Sequence, residues 1–546
     1  MRSLIPAVFL AVFSVASAVA SPSSNPFFGA QSINLLRLSG DKNVEETAAF
    51  AIEEGSQAVL PVGHGRSGYD EFPENWFEQP LDHFSNDTQT FKQRYWFNAR
   101  HFKPGGPVIV LDGGETSGEN RLPFLHTGIL EILAKGTNGL GVVLEHRYYG
   151  DSTPVADFST DSLRWLNNAQ SAADSANFMS KVQFDGIYND LTAPGTPWIY
   201  YGGSYAGARS AHMRVLYPEL VFGAIASSGV THATLELWEY MDVIRRAADP
   251  QCAEHLVKSI SAIDHVLLHQ PYLSKPLKAL FGLAGLEHND DFASLLTSPL
   301  GAWQGKNWDP KVGSDRFDTF CAALASPHAG KDASETFLFP GHLEIPITLY
   351  NYAKYIKKNY VSRCSESVED CFGTYDDTKY QNTSLSEGWR PWTFQVCTEW
   401  GYFITAPPEN EPTIISRLNS LHSNSKICHQ AFPPGEHFTV PHLPNVTVVN
   451  TLGDFAIAAD RLAIIDGEVD PWRPATPHSQ YAPDRLDTIS QPFKLIPNGV
   501  HHYDENGLLN INDEPFEILN IHKEMIAFVK EWLKDWDKYQ EQSQEV

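Results

Sequence analysis

A chain of 546 residues with 40 Lys and Arg against 66 Asp and Glu has a formal net charge of −26. That acidic surplus excludes electrostatic binding to nucleic acid or to an anionic membrane, since both need an excess of Lys and Arg. With 19% charged and 12% aromatic residues, the chain is too apolar to be disordered and long enough for a large buried core.

In chain order, Arg2, the apolar run 4–15 and the small residues ending in Ala18-Val19-Ala20 read as a secretory signal over 1–20. Residues 21–50 read as an N-terminal arm or pro-segment. No later stretch approaches a transmembrane length, and the polar C-terminus argues against a glycolipid anchor. Short apolar runs then end in Gly-rich turns. Run 107–111 leads into Asp112-Gly113-Gly114-Glu115, and run 139–144 into Glu145-His146-Arg147-Tyr148-Tyr149-Gly150. Run 198–201 leads into Gly202-Gly203, and run 222–226 into Ser227-Ser228-Gly229. Such runs, with helical patterns between them, predict buried parallel strands. The pattern returns at 462–465 and 493–496. It closes with a helix whose Ile518, Ile521, Met525, Phe528, Trp532 and Trp536 share one face, a stripe expected to be core packing.

Between 231 and 435 the alternation stops and helical periodicity takes over. All six cysteines fall there: Cys252, Cys321, Cys364, Cys371, Cys397 and Cys428. The expected organisation is an α/β core in two parts, 51–230 and 436–546, split by a helical, disulfide-bearing insertion. Six cysteines allow fifteen pairings. Nearness in sequence suggests Cys364–Cys371 and Cys397–Cys428, leaving Cys252–Cys321. No Cys-x-x-Cys spacing supports a zinc site. Asn86, Asn382 and Asn445 begin Asn-x-Ser/Thr glycosylation signals.

The chemistry centres on Gly202-Gly203-Ser204-Tyr205-Ala206-Gly207, which joins an apolar strand to a helical stretch. A nucleophilic serine at a strained strand-to-helix turn requires that context, with small residues two positions to either side. Here the pattern is Gly-x-Ser-x-Ala. The serine needs a His base and a carboxylate that orients it, and in α/β hydrolases these follow in the order Ser, acid, His. Asp466, Glu468 and Asp470 follow run 462–465, and His501 and His502 follow run 493–496. On spacing alone three acids and two bases compete. Adjacent histidines cannot both reach one nucleophile, so one of them is structural. The oxyanion donors are expected at the Tyr205 N–H and in the early loop, at Gly114 and Glu115.

These segments resemble the serine peptidases that include lysosomal prolylcarboxypeptidase and dipeptidyl peptidase II. The likeness rests on Leu81-Asp82-His83-Phe84, Glu145-His146-Arg147-Tyr148-Tyr149-Gly150, the Gly-Gly-Ser-Tyr turn, Cys397-Thr398-Glu399, Asp470-Pro471-Trp472 and Gly499-Val500-His501-His502. The resemblance implies Asp470 as the acid, His501 as the base, and a cap over an α/β-hydrolase core. It also implies hydrolysis on the carboxyl side of Pro, commonly in acid, with Trp472 lining the Pro pocket. Two departures stand out: Ala206 where a Gly is frequent, and Asp466 where Asn is usual, which adds a carboxylate near the acid. Glu145 and His146 are expected to make structural hydrogen bonds.

The expectation is therefore a secreted, glycosylated serine peptidase with peptide or protein substrates, as a monomer or homodimer; a vacuolar or lysosomal destination is the variant of that address. No cofactor and no metal are expected. A lipase or esterase on the same fold and an inactive hydrolase-like binding protein are the competing readings.

Overall fold

The computed structural model describes residues 69–536 except 329, 334, 341 and 342. The expected signal segment and N-terminal arm lie outside the described residues. Eight strands form one sheet: β1 (Asn75–Pro80), β2 (Thr90–Asn98), β3 (Val108–Asp112), β4 (Leu140–Leu144), β5 (Trp198–Gly203), β6 (Gly223–Ser227), β7 (Leu462–Gly467) and β8 (Phe493–Ile496). Their spatial order is β1-β2-β4-β3-β5-β6-β7-β8. β2 runs antiparallel to β1 and β4, and the other pairs are parallel. This is the α/β-hydrolase arrangement. The edge strand β1 and its neighbour β2 were not expected from the sequence. β1 alternates exposed and partly buried residues, so it shows no continuous apolar run.

The strands from β3 to β7 are buried on both faces, because successive side chains point to opposite sides and both sides are covered. Ile109, Leu111, Val143, Ile199, Tyr201, Ile225 and Ile465 face α1 (Ile129–Thr137) and the closing helix. Val108, Val110, Val142, Trp198, Tyr200, Ala224 and Ile464 face α2 (Asn168–Lys181) and α3 (Tyr205–Leu216). The predicted stripe of the closing helix packs as expected: Ile518, Ile521, Met525, Phe528 and Trp532 are buried against the first face, and Trp536 meets Phe222 edge-on at 4.9 Å. Each large apolar side chain buried in this way contributes about 1.5–3 kcal/mol.

Between β6 and β7 the chain leaves the sheet and builds a third apolar cluster around α4 (Pro250–His269) and α5 (Ile347–Asn359). All three disulfides lie in this segment, as Cys252–Cys321, Cys364–Cys371 and Cys397–Cys428. The cap is not purely helical. Gly401–Phe403 pairs in parallel with Thr234–Glu236, and Thr336–Phe339 pairs antiparallel with Leu343–Pro346. Among the described residues no helix is long and apolar enough to cross a membrane.

Candidate active site

The parallel register brings three loops to one edge of the sheet. Gly203 pairs with Ser227, Ser227 with Ile465, and Gly467 with Ile496. The residues that follow β5, β7 and β8 therefore emerge side by side at the carboxyl ends of the strands, where ligands bind in open α/β sheets.

Ser204 joins β5 to α3 at φ 61°, ψ −118°. A non-Gly residue there is strained, and the surroundings hold it in place. Its N–H donates to the Ser227 carbonyl at 2.8 Å. A Cβ on Gly202 would lie 2.0 Å from the Ala206 carbonyl oxygen, and one on Gly207 would lie 2.6 Å from the Ser227 oxygen. Both positions require glycine. Ala206 is tolerated because its methyl group abuts Gly114, whose own Cβ would sit 3.3 Å from it. The departure from Gly at 206 is thus compensated in the early loop. Ser204 Oγ is buried and makes no hydrogen bond within the protein.

The competition among acids resolves geometrically. Asp470 is fully buried, and its Oδ2 accepts from His501 Nδ1 at 2.8 Å. Its Oδ1 accepts the Trp472 N–H at 2.9 Å. Because the carboxylate is an acceptor, Nδ1 carries the proton and Nε2 is the basic nitrogen. Asp466 faces a different histidine: its Oδ2 accepts from His478 Nδ1 at 2.6 Å and from Thr476 Oγ1 at 2.9 Å. Glu468 accepts the Asn498 N–H at 3.0 Å. His502 pairs with Glu505 at 3.0 Å, and its N–H donates to Ser228 Oγ at 3.2 Å. It therefore braces the loop against β6. A Cβ on Gly203 would meet Glu505 Oε1 at 2.1 Å and His502 Cε1 at 3.2 Å, so this brace leans on the residue before Ser204.

The Tyr205 N–H opens α3, where a helix has no internal acceptor to offer. Gly114 is a correction to the expected oxyanion donors. At φ +66° its N–H turns onto Asp112 Oδ1 at 2.9 Å, which commits it to the tight turn. Glu115, the next residue of that loop, is buried.

Beneath the elbow, the Tyr205 hydroxyl accepts from Gln395 Nε2 at 2.7 Å and contacts His146 Nε2 at 3.0 Å. His146 Nδ1 donates to the Arg147 carbonyl at 2.7 Å, so Nε2 is the acceptor for the tyrosine. Burial, helped by the charge of Arg209, pushes His146 down to about 4, and the ring stays neutral in mild acid. Glu145 accepts from Arg94 Nε at 3.0 Å and Nη2 at 2.8 Å, and from Ser152 N–H at 2.9 Å. Both residues are bound into the scaffold. Arg147 grips Asp174 through Nε (2.5 Å) and Nη2 (2.7 Å), and His83 Nε2 reaches Asp174 Oδ1 at 2.7 Å. Two motifs far apart in sequence thereby share one buried carboxylate.

Trp472 is nearly enclosed. Its ring lies 6.2 Å from that of His501, and Tyr240 and Tyr402 meet it edge-on at 5.3 and 5.5 Å. Tyr240, Tyr402 and Gln304 come from the cap and were not singled out in the sequence. No local motif marks them, because each is paired with Trp472 only by the fold. Glu399 accepts the Asn168 N–H at 3.0 Å, and loss of water raises its carboxyl to about 7. Asn86, Asn382 and Asn445 are all exposed. Among the described residues no group of three His, Cys, Asp or Glu could hold a metal ion.

The family described as Serine carboxypeptidase S28 matches residues 79–526. The chain is 41% identical over 495 residues to a probable extracellular serine carboxypeptidase of Arthroderma benhamiae, covering 85% of this chain and 68% of the relative. It is 28% identical over 485 residues to the serine protease vicPa of Bipolaris victoriae, covering 84% and 88% of the two chains. It is 25% identical over 506 residues to the lysosomal Pro-X carboxypeptidase of Homo sapiens, again covering 84% and 88%.

Proposed function

Because the chain belongs to the serine carboxypeptidase S28 family and is a serine-type peptidase, we propose that Ser204, His501 and Asp470 carry its catalysis and that it cleaves on the carboxyl side of Pro. The Ser204 hydroxyl attacks the scissile carbonyl carbon while His501 Nε2 takes its proton. Asp470 accepts from Nδ1–H and stabilises the imidazolium that forms. The N–H groups of Tyr205 and Glu115 receive the oxyanion. His501 then protonates the leaving amine, and water hydrolyses the acyl-enzyme by the same route. The observation that carries this reading is the 2.8 Å contact of His501 Nδ1 with the buried Asp470, in the loop beside a strained serine.

Trp472 lies beside His501, and Tyr240 and Tyr402 back its ring edge-on. A pyrrolidine ring packs well on such faces, which supports Pro at the residue that donates the carbonyl. The end at which the peptide is cut is proposed from the two relatives named carboxypeptidases: a free carboxyl end. Secretion is supported by the 1–20 segment, by three disulfides and by the extracellular relative. Glycans are proposed at the three exposed asparagines.

The test is digestion of a peptide with one internal Pro, blocked in turn at each end, with products read by mass. Cleavage after Pro that requires a free carboxyl end is expected. Cleavage of a long-chain ester with no cleavage of the peptide would overturn the reading.

A further inference from the structure

Between Leu300 and Arg316 the cap sends one short segment down onto the catalytic loops. Trp303 Nε1 donates to the Val469 carbonyl at 2.9 Å. Gln304 Oε1 accepts from both Trp472 Nε1 and the Tyr240 hydroxyl, each at 2.8 Å. Trp308 Nε1 donates to the Tyr503 carbonyl at 2.9 Å. Val469 and Trp472 bracket Asp470, and Tyr503 stands two residues beyond His501. Segment 303–308 therefore holds the acid loop on both sides of Asp470 and the base loop just past His501. An indole nitrogen can only donate, so the Gln304 amide must present its oxygen to Trp472, and its orientation is fixed.

The segment is itself backed by rigid structure. Trp303 meets Phe317 edge-on at 5.0 Å. Phe317 and Cys321 lie on the helix Arg316–Leu324, and Cys252–Cys321 ties that helix to α4. The buried Asp470 and His501 thus lie under a cap element that is braced by a disulfide, although sheet and cap are separate layers.

We propose that segment 303–308 is a positioning element for the Asp470–His501 pair, in which Trp303, Gln304 and Trp308 fix the mutual placement of the two loops. The idea rests on the triad reading above. Its reach is distinct from substrate access. A cap that only narrows the cleft changes KM, whereas an element that sets the acid–base geometry changes the rate of acylation.

The experiment compares Gln304→Leu, Gln304→Glu and the double variant Trp303→Phe/Trp308→Phe with the unaltered full-length chain. Each Trp→Phe change keeps an aromatic ring and removes the N–H. The readouts are the rate of labelling by a fluorophosphonate probe, kcat and KM on a Pro-containing peptide, and the melting temperature. Labelling and kcat are expected to fall together by about tenfold or more in Gln304→Leu and in the double variant, with KM within about twofold, as a small misplacement of reacting groups produces. Gln304→Glu retains an acceptor for both donors and is expected to recover most of the loss. Unchanged labelling and kcat in folded variants, or a loss confined to KM, would overturn the proposal. Failure of the probe to label the unaltered chain at Ser204 would overturn the triad reading and this inference with it, so the two failures are told apart.

Discussion

The carboxyl edge of the sheet and the cap above it place functional groups by opposite means. At the sheet edge, each proposed triad residue stands within a few positions of a strand end. Ser204 directly follows β5, Asp470 lies three residues past β7, and His501 five past β8. Parallel pairing then brings their loops side by side without further instruction. In the cap, groups reach the site through contacts between distant residues: Gln304 with Trp472 across 168 positions, and Gln395 with Tyr205 across 190. A site built at strand ends is written locally in the chain. Contacts made from the insertion are not.

The sharpest way to break this contrast is at the sheet edge. Asp470→Asn keeps the shape but removes the charge and the tautomer control, and is expected to lower kcat on the order of 10⁴-fold. Asp466→Asn, whose carboxylate serves His478 instead, is expected to change kcat by less than about tenfold. Equal losses in steady-state assays of the two would contradict the assignment of the acid.

Next in size is the elbow. Gly202→Ala would drive a methyl group into the Ala206 backbone and is expected to cost about 3 kcal/mol or more, or to prevent folding. Urea denaturation or soluble yield reads this. Full stability in the variant would mean that the turn is looser than its geometry implies.

In the cap, Cys252→Ser together with Cys321→Ser is expected to cost about 2–5 kcal/mol. Loss of this brace is also expected to slow catalysis at temperatures where the sheet remains intact, which near- and far-ultraviolet circular dichroism separate. Trp472→Ala is expected to reduce the preference for Pro over Ala before the scissile bond by about 10–100-fold, the scale of one hydrophobic contact in a pocket. Competing peptide substrates measure it directly.

The smallest effect is a pH slope. Glu399 titrates near 7 in the folded chain against an ordinary value of 4.5, because burial disfavours its charge. The folded state thus holds this proton more tightly. The stability it contributes is complete below 4.5 and is lost as pH rises through about 7. His146 acts in the opposite sense: held near 4 against 6.5, it contributes stability above 6.5 that is lost as pH falls through about 4. Glu399→Gln is expected to flatten the melting temperature of the variant relative to the parent between pH 4.5 and 7. An unchanged slope would show that Glu399 does not titrate there.

Much of this was legible in the chain. Apolar runs ending in glycine gave six of the eight strands, and five of these, β3 to β7, are buried on both faces and so carry continuous apolar residues. β1 and β2 escaped because polar residues interrupt any apolar run: Asn75, Glu78 and Gln79 in β1, and Lys92 with the buried Gln93 and Arg94 in β2. The elbow was legible from Gly202 and Ser204, but the role of Gly207 was not, since it depends on the approach of Ser227 and Gly229. The acid was ambiguous in spacing; the resemblance pointed to Asp470, and the fold pairs Asp466 with His478 instead. Gly114 illustrates the limit of loop position as a guide: the right loop was identified, yet its N–H is turned to Asp112. Of Trp472, Tyr240 and Tyr402, only Trp472 was legible.

The central claim is that Ser204 is activated by His501 and Asp470. Its most direct test is labelling of the intact chain with a fluorophosphonate probe followed by peptide mapping, alongside Ser204→Ala in the peptide assay. A single adduct on Ser204, with labelling and peptide hydrolysis both abolished in Ser204→Ala, is the result expected. An adduct on another residue, or hydrolysis undiminished in Ser204→Ala, would contradict it.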